Sequence, residues 1–184
     1  MKPFKALLVA TLVGASAIAI AVPLKTDPAK SSVSAVFKQM NVPVEAPFRS
    51  FSAAIDYDAA KPAASKASVA INTASFDIGD PMYNKEVAKK EWFNSAQFPK
   101  ASFVSTSIAP AGAGKLNVSG KLTLKGKTAD VTFPLAVRAE GGKQVFEGQL
   151  PIRRLAFNIG EGEWKDTSMV ADEVVIKFRV TAAP

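Results

Sequence analysis

Between Lys115 and Arg138 apolar and polar residues alternate along the chain. On the first arm Leu116, Val118, Leu122 and Leu124 share a parity with Gly120, and Asn117, Ser119, Lys121, Thr123 and Lys125 take the other. On the second arm Ala129, Val131, Phe133, Leu135 and Val137 stand against Thr128, Asp130, Thr132 and Arg138. Alternation of this length predicts two strands, each with one buried and one wet face. A two-residue type II′ turn at Gly126-Lys127 puts Gly where that turn requires it. It sets Leu124 against Ala129, Leu122 against Val131, Gly120 against Phe133 and Val118 against Leu135. Every apolar residue then meets an apolar partner, and Gly120 leaves space for the Phe133 ring. A slip of one residue would oppose leucines to threonine and aspartate. Pro134 lacks a ladder N–H and marks an edge or a bulge.

The same period recurs on both sides of this hairpin. Val33, Ala35 and Phe37 make a first strand, which Asn41-Val42-Pro43 and Pro47 break. Phe51, Ala53, Ile55 and Tyr57 make a second, and Ala67, Val69, Ile71 and Thr73 a third. Leu24 to Ser31 reads as a loose lead-in. From Asp77 to Lys100 the alternation stops. There Asp80 is placed to cap a helix with Pro81 at its first position, and Glu86 and Lys90 stand at i,i+4 in the favourable order. One or two short helices are expected, crossing an end of the sheet. Strands resume at Ala101–Ile108, at Val145–Arg153 after a Gly141-Gly142 turn, and at Val174–Val180. The prediction is a mainly β fold, an antiparallel barrel or sandwich of about eight strands with those short helices inserted.

The first 21 residues are of another kind. Lys2 and Lys5 precede an uncharged run from Ala6 to Ala21 that ends in Ala19-Ile20-Ala21, a small-x-small cleavage signature. A secretory signal peptide over 1–21 and a single mature domain over 22–184 are expected, with periplasmic localisation. Without Lys2 and Lys5 the balance is 21 basic to 16 acidic residues, a charge of +5. The lysines are scattered, so nucleic acid is not the expected partner and transient contact with a membrane surface is the better use of that charge.

Composition narrows the chemistry. Cysteine and histidine are both absent, which removes disulfides, the usual zinc ligand and the usual general base. No G-x-S-x-G occurs. Asp77 and Asp80 read as a turn and a cap rather than paired acids, and Glu161, Glu163 and Asp166 around Trp164 lack the spacing of a calcium loop. An enzyme, a cofactor and a metal site are therefore not expected.

Several stretches together resemble the YceI-like family of lipocalin-like barrels. They are Phe48-Arg49-Ser50-Phe51, Ile71-Asn72-Thr73-Ala74-Ser75-Phe76, Glu91-Trp92-Phe93-Asn94 with Phe98-Pro99, Gly120 to Gly126, and Phe157-Asn158-Ile159-Gly160. The similarity runs from about Ser32 to Val180. The chain departs from many relatives at Phe37-Lys38-Gln39-Met40 and at Pro81-Met82-Tyr83-Asn84, which bear on head-group contacts. The resemblance implies a lipocalin-like barrel that holds a polyisoprenoid, or the tail of an isoprenoid quinone, as carrier or store. It also implies a homodimer.

An eight-stranded barrel either fills its interior or holds one ligand. If it is hollow, the expected lining is Phe37, Phe51, Ile55, Val69, Ile71, Phe103, Val118, Gly120, Leu122, Val131, Phe133, Leu135, Phe146, Leu150, Ile176 and Phe178. Met82, Tyr83, Trp92, Arg153 and Arg154 are the candidates for its mouth, with the arginines greeting a polar head. If it is filled, the same apolar residues are core, and the protein acts through its surface in stress response or beside a membrane redox protein.

Overall fold

The computed structural model describes residues 22–184; the expected signal peptide lies outside the described residues. Ten strands form one antiparallel sheet: β1 (Val22–Thr26), β2 (Ser32–Gln39), β3 (Val42–Pro47), β4 (Phe51–Tyr57), β5 (Lys66–Asn72), β6 (Lys100–Pro110), β7 (Lys115–Leu124), β8 (Lys127–Glu140), β9 (Lys143–Arg153) and β10 (Val170–Ala183). The order is β1-β4-β5-β6-β7-β8-β9-β10-β2-β3, and β1 also pairs with β10. The sheet therefore closes on itself through eight strands. The fold is a closed antiparallel barrel, with one short helix among the described residues, α1 (Pro81–Val87), and several single turns of 3₁₀ helix.

Two strands, β1, which closes the ring, and β3 beyond it, are not announced by the residue pattern. In the expected lead-in, β1 pairs Leu24 with Ile55 on one side and Thr26 with Ala182 on the other. The expected break at Pro43 and Pro47 is strand β3, paired only with β2, Phe37 opposite Val44. Proline removes ladder donors, so it is tolerated on an edge where one side needs none. An isolated bridge between Phe48 and Phe76 carries the wall from β3 towards the helical end.

The organising hairpin is present with a corrected register. Its turn is Lys125-Gly126, not Gly126-Lys127, and both residues have positive φ (47° and 75°), the type I′ conformation. Leu124 opposes Lys127, Leu122 opposes Ala129, Gly120 opposes Val131 and Val118 opposes Phe133. The pairing is displaced by two residues, which preserves the parity of every side chain and so the buried face. On the outer face Ser119 meets Thr132, Lys121 meets Asp130 and Thr123 meets Thr128, each at 2.8 to 2.9 Å. Pro134 sits where pairing of β8 with β9 stops, since that ladder begins at Leu135 opposite Gly148.

Helix α1 begins as its residues dictate. The Asp80 carboxylate accepts the Met82 N–H at 2.7 Å, and Pro81 takes the first position. The helix ends at Val87, so Lys90 is not on it; Glu86 pairs with Lys89 instead. α1, the β2–β3 turn, the β7–β8 turn and residues 154–169 gather at one end of the barrel, called the α1 end below. The Asp58–Ser65 loop and the turns at Gly112–Gly114 and Gly141-Gly142 close the other.

Candidate functional site

The inward faces of the strands enclose an apolar cavity of about 230 Å³. It runs from Tyr57, Ser65 and Ala67 at one end of the barrel to Tyr83, Val87, Trp92 and Trp164 at the α1 end. Thirteen of the sixteen residues expected to line it do so: Phe37, Ile55, Val69, Ile71, Phe103, Val118, Leu122, Phe133, Leu135, Phe146, Leu150, Ile176 and Phe178. They share the wall because alternation sends every second side chain inward. A bulge between Ser105 and Ser107 on β6 flips the parity, which is why Phe103 and Ile108 both reach the interior.

The other three do not line it. An ideal Cβ on Gly120 would lie 2.5 Å from the Phe103 ring and 2.4 Å from the Val104 carbonyl, so Gly120 is the floor under Phe103 and not a thin wall beside Phe133. Val131, its cross-strand partner, packs into the core cluster, as does Phe51 at the start of β4. Gly148 repeats the device, with the Phe178 ring lying over it. The rings of Phe103, Phe133 and Phe178 are then in series, centroids 5.4 Å apart at each step. Two glycines thus make space for two of the three phenyls that cross the interior.

Of the mouth candidates, Tyr83 and Trp92 line the cavity. Met82 is 75% exposed and points elsewhere, and Arg153 is an exposed partner of Asp172. Arg154 lines the wall but is not free to greet a ligand head. It is 2% exposed, and its guanidinium donates to the carbonyls of Ala171, Ile159, Gly160, Trp164 and Val170 at 2.6 to 3.2 Å. Burial pushes its pKa below the ordinary value, against the opposing attraction of the Asp172 carboxylate. Its role is to tie the 154–164 loop to the start of β10, 5.6 Å from the centre of the Trp92 ring. Trp92 in turn packs on Trp164, centroids 5.4 Å apart.

Sequence reasoning missed this bolt, although the motif around it is its signature. Asn158 ends a 3₁₀ turn in the left-handed region (φ 58°), and Gly160 (φ 79°) lies so close to the Arg154 guanidinium that a Cβ would stand 2.0 Å from Nη1. Lys125, half of the hairpin turn, is buried beside it. Its ammonium donates to the carbonyls of Lys90 and Asn158 and to Glu161 at 2.6 to 2.9 Å. Two of the three acidic residues near Trp164 are thereby accounted for: Glu161 pairs with Lys125, and Asp166 accepts from Ser168. Asp77 accepts from Asn84, the Gly79 N–H and Arg49, which hold its carboxyl down at about 2. This is a turn clasp, and it joins the Arg49 and Asp77 stretches of the sequence.

Polar groups along the cavity are few. Tyr57 lies edge-on to Phe146, and burial raises its pKa. Gln39 and Glu86 stand with Tyr83 where the lining reaches the surface at the α1 end; at the other end exposed Lys66 flanks buried Ser65. The cavity surface suits an uncharged, elongated apolar molecule.

Comparison with known proteins places the barrel among relatives. The crystal structure of Burkholderia cenocepacia BcnA matches with a TM-score of 0.85 and 57% identity, covering 86% of this chain and all of that one. A polyisoprenoid binding domain from Saccharophagus degradans, implicated in plant cell wall breakdown, superposes with a TM-score of 0.69 at 17% identity over 90% of this chain and all of that one, a likeness of fold. A UPF0312 protein of Shewanella oneidensis is 41% identical over 104 residues, which are 56% of this chain and 51% of the relative; the match thus spans about half of that protein's length. The YceI-like domain profile matches residues 24–182, from the first closing strand to the last. With barrel, motifs and profile in agreement over that span, the chain belongs to the YceI-like domain family.

Proposed function

We propose that this protein is an exported, periplasmic carrier or store that holds the tail of a polyisoprenoid or isoprenoid quinone inside the barrel, and that it binds rather than catalyses. The observation that carries the reading is the cavity: long and walled by apolar side chains, with Glu86 and Lys66 at its opposite ends and the Arg154 guanidinium engaged by main-chain carbonyls. The fold is shared with a domain described as polyisoprenoid binding, which supports the same class of ligand. Size is compatible. At about 10–15 Å³ per water-sized position, the space takes on the order of fifteen to twenty carbon atoms, or roughly three to four isoprene units. Each five-carbon unit removed from water contributes about 3–4 kcal/mol gross. Three or four units give about 9–16 kcal/mol gross, and at an association cost near the low end of the range, about 4 kcal/mol, roughly 5–12 kcal/mol is left, which brackets micromolar affinity. A longer tail would extend out of the opening.

The reading is tested by stripping the protein of lipid and titrating it with geranylgeraniol while following tryptophan emission, since Trp92 lines the cavity. A saturable change at micromolar concentration is expected. No binding by a folded, stripped protein would contradict the proposal and favour action through the surface.

A further inference from the structure

Among the described residues six large apolar side chains are prominently exposed, and five of them ring one end of the barrel. They are Met40 (62% exposed), Val42 (62%), Met82 (75%), Tyr83 (52%) and Met169 (45%); Val104 is the sixth. Tyr83 itself lines the cavity, and Met82 precedes it on the first turn of α1. Met40 follows the lining residue Gln39, Val42 pairs with Gln39, and Met169 precedes the lining residue Val170. The Met40 N–H donates to the Met169 carbonyl at 2.8 Å, so these two segments touch. The five residues therefore frame the place where the cavity reaches the surface at the α1 end.

Folding does not call for them. Met40 occupies the first position of the β2–β3 turn with φ 48°, followed by Asn41 with φ 64°, where Asn, Asp or Gly is at ease and an unbranched apolar residue is not. The opposite end of the barrel is built of small and polar turn residues, Asp58 to Lys61, Gly112 and Gly141-Gly142. Nor is the α1 end a basic patch: Lys89 pairs with Glu86, Lys90 with Glu91 and Arg153 with Asp172, and Lys38, Lys85 and Lys165, which make no ion pair among the described residues, are equalled in number by Asp80, Glu163 and Asp166 in the same segments. An apolar rim with matched charges fits the acyl boundary of a bilayer, whose interior takes unpaired apolar side chains and does not require net charge.

We propose that the α1 end is a bilayer-docking face, in which Met40, Val42, Met82, Tyr83 and Met169 enter the acyl boundary and hold the cavity opening against the lipid. The choice of a bilayer as occupant rests on the reading that the cavity takes an isoprenoid tail, a cargo that dissolves in membranes and not in water. Docking by apolar insertion, and not the overall positive charge, is the attachment.

The test is co-sedimentation of the full mature chain with vesicles of neutral phosphatidylcholine, comparing the wild type with the triple variant M40N/M82S/M169S, whose replaced side chains are outside the cavity wall. Binding to neutral vesicles that persists at about 0.5 M salt is expected, with a loss of about tenfold or more in the variant. Geranylgeraniol binding from detergent solution should be the same in both proteins. Binding confined to anionic vesicles and abolished by salt would overturn the proposal, as would equal vesicle binding by variant and wild type. A wild type that dimerises through this face without sedimenting, beside a monomeric variant, would assign the rim to a second copy and equally overturn it. Failure to bind geranylgeraniol, with the vesicle result intact, would overturn the tail reading and leave the docking face standing.

Discussion

At the scale of single residues, two positions set what the interior is. Gly120 reads in the sequence as a gap in an alternating strand, and the gap is real, but its occupant is the Phe103 ring from β6 and not the Phe133 ring from β8. Alternation gives the face of a residue; it carries no information on which neighbouring strand supplies the ring that covers it. Gly120→Leu should therefore destabilise the fold by about 1–3 kcal/mol or more, because the displaced atom would be the backbone carbonyl of Val104 and not only a mobile ring. An unchanged urea midpoint would contradict this packing. Arg154 is the second case. Paired with Arg153 in the sequence it reads as a mouth residue placed to greet a polar head, and only the tertiary fold brings five carbonyls around it. Replacing it with methionine leaves those acceptors buried without donors, and a loss of at least about 3 kcal/mol is expected in chemical denaturation. The side-chain ladder that would have betrayed this residue is absent, because its partners are all main chain.

At the scale of elements, the central hairpin was legible in the sequence because both faces alternate over ten or more residues; its register was not, because a shift of two preserves every parity. The deciding interaction is outside the hairpin. Lys125 adopts a left-handed turn conformation while its ammonium is held by Lys90, Asn158 and Glu161, three segments that the local sequence cannot place beside it. The register is checked by paired cysteines. Thr123→Cys with Thr128→Cys should oxidise readily, since these residues are directly opposed and their hydroxyls lie 2.8 Å apart. Leu122→Cys with Val131→Cys should not; the reverse outcome would restore the Gly126-Lys127 turn. β1 and β3 were illegible for other reasons: β1 is short and gains its order by pairing with two remote strands, and β3 carries the prolines that normally argue against a strand.

The outer faces of the elements also make an acid-sensitive pair of clasps. Glu147 is held down at about 2 by Arg138 and Arg179 on the two flanking strands, and Asp77 also at about 2 by Asn84, Gly79 and Arg49. The ordinary values are 4.5 and 3.8. A carboxyl whose folded pKa is depressed stabilises the fold above its unfolded value, and that contribution is lost as pH falls through the folded value. Stability should therefore decline between about pH 4.5 and about pH 2. In Glu147→Gln the decline should be shallower over that window. An identical acid limb in this variant would show that the clasp does not distinguish folded from unfolded chain.

At the scale of the whole molecule, the barrel resolves the choice that the pattern leaves open between a filled interior and a hollow one. A filled core of this composition would close over Leu122, Leu135 and Ile176; instead all three are half-buried and face the cavity. Thirteen of the wall residues could be read from parity, whereas the ends of the cavity could not, since they are built by α1, by the Trp92–Trp164 stack and by loops without a period. Lipid bound to the protein as isolated is the most direct measurement of the central claim. Organic extraction of the natively purified protein, followed by mass spectrometry, should release a polyisoprenoid or isoprenoid quinone near one molecule per chain. Leu135→Trp, which adds bulk inside the cavity, should release far less while melting within a few degrees of the wild type. An extract without isoprenoid from either protein, or one in which the tryptophan variant carries as much as the wild type, would contradict the account.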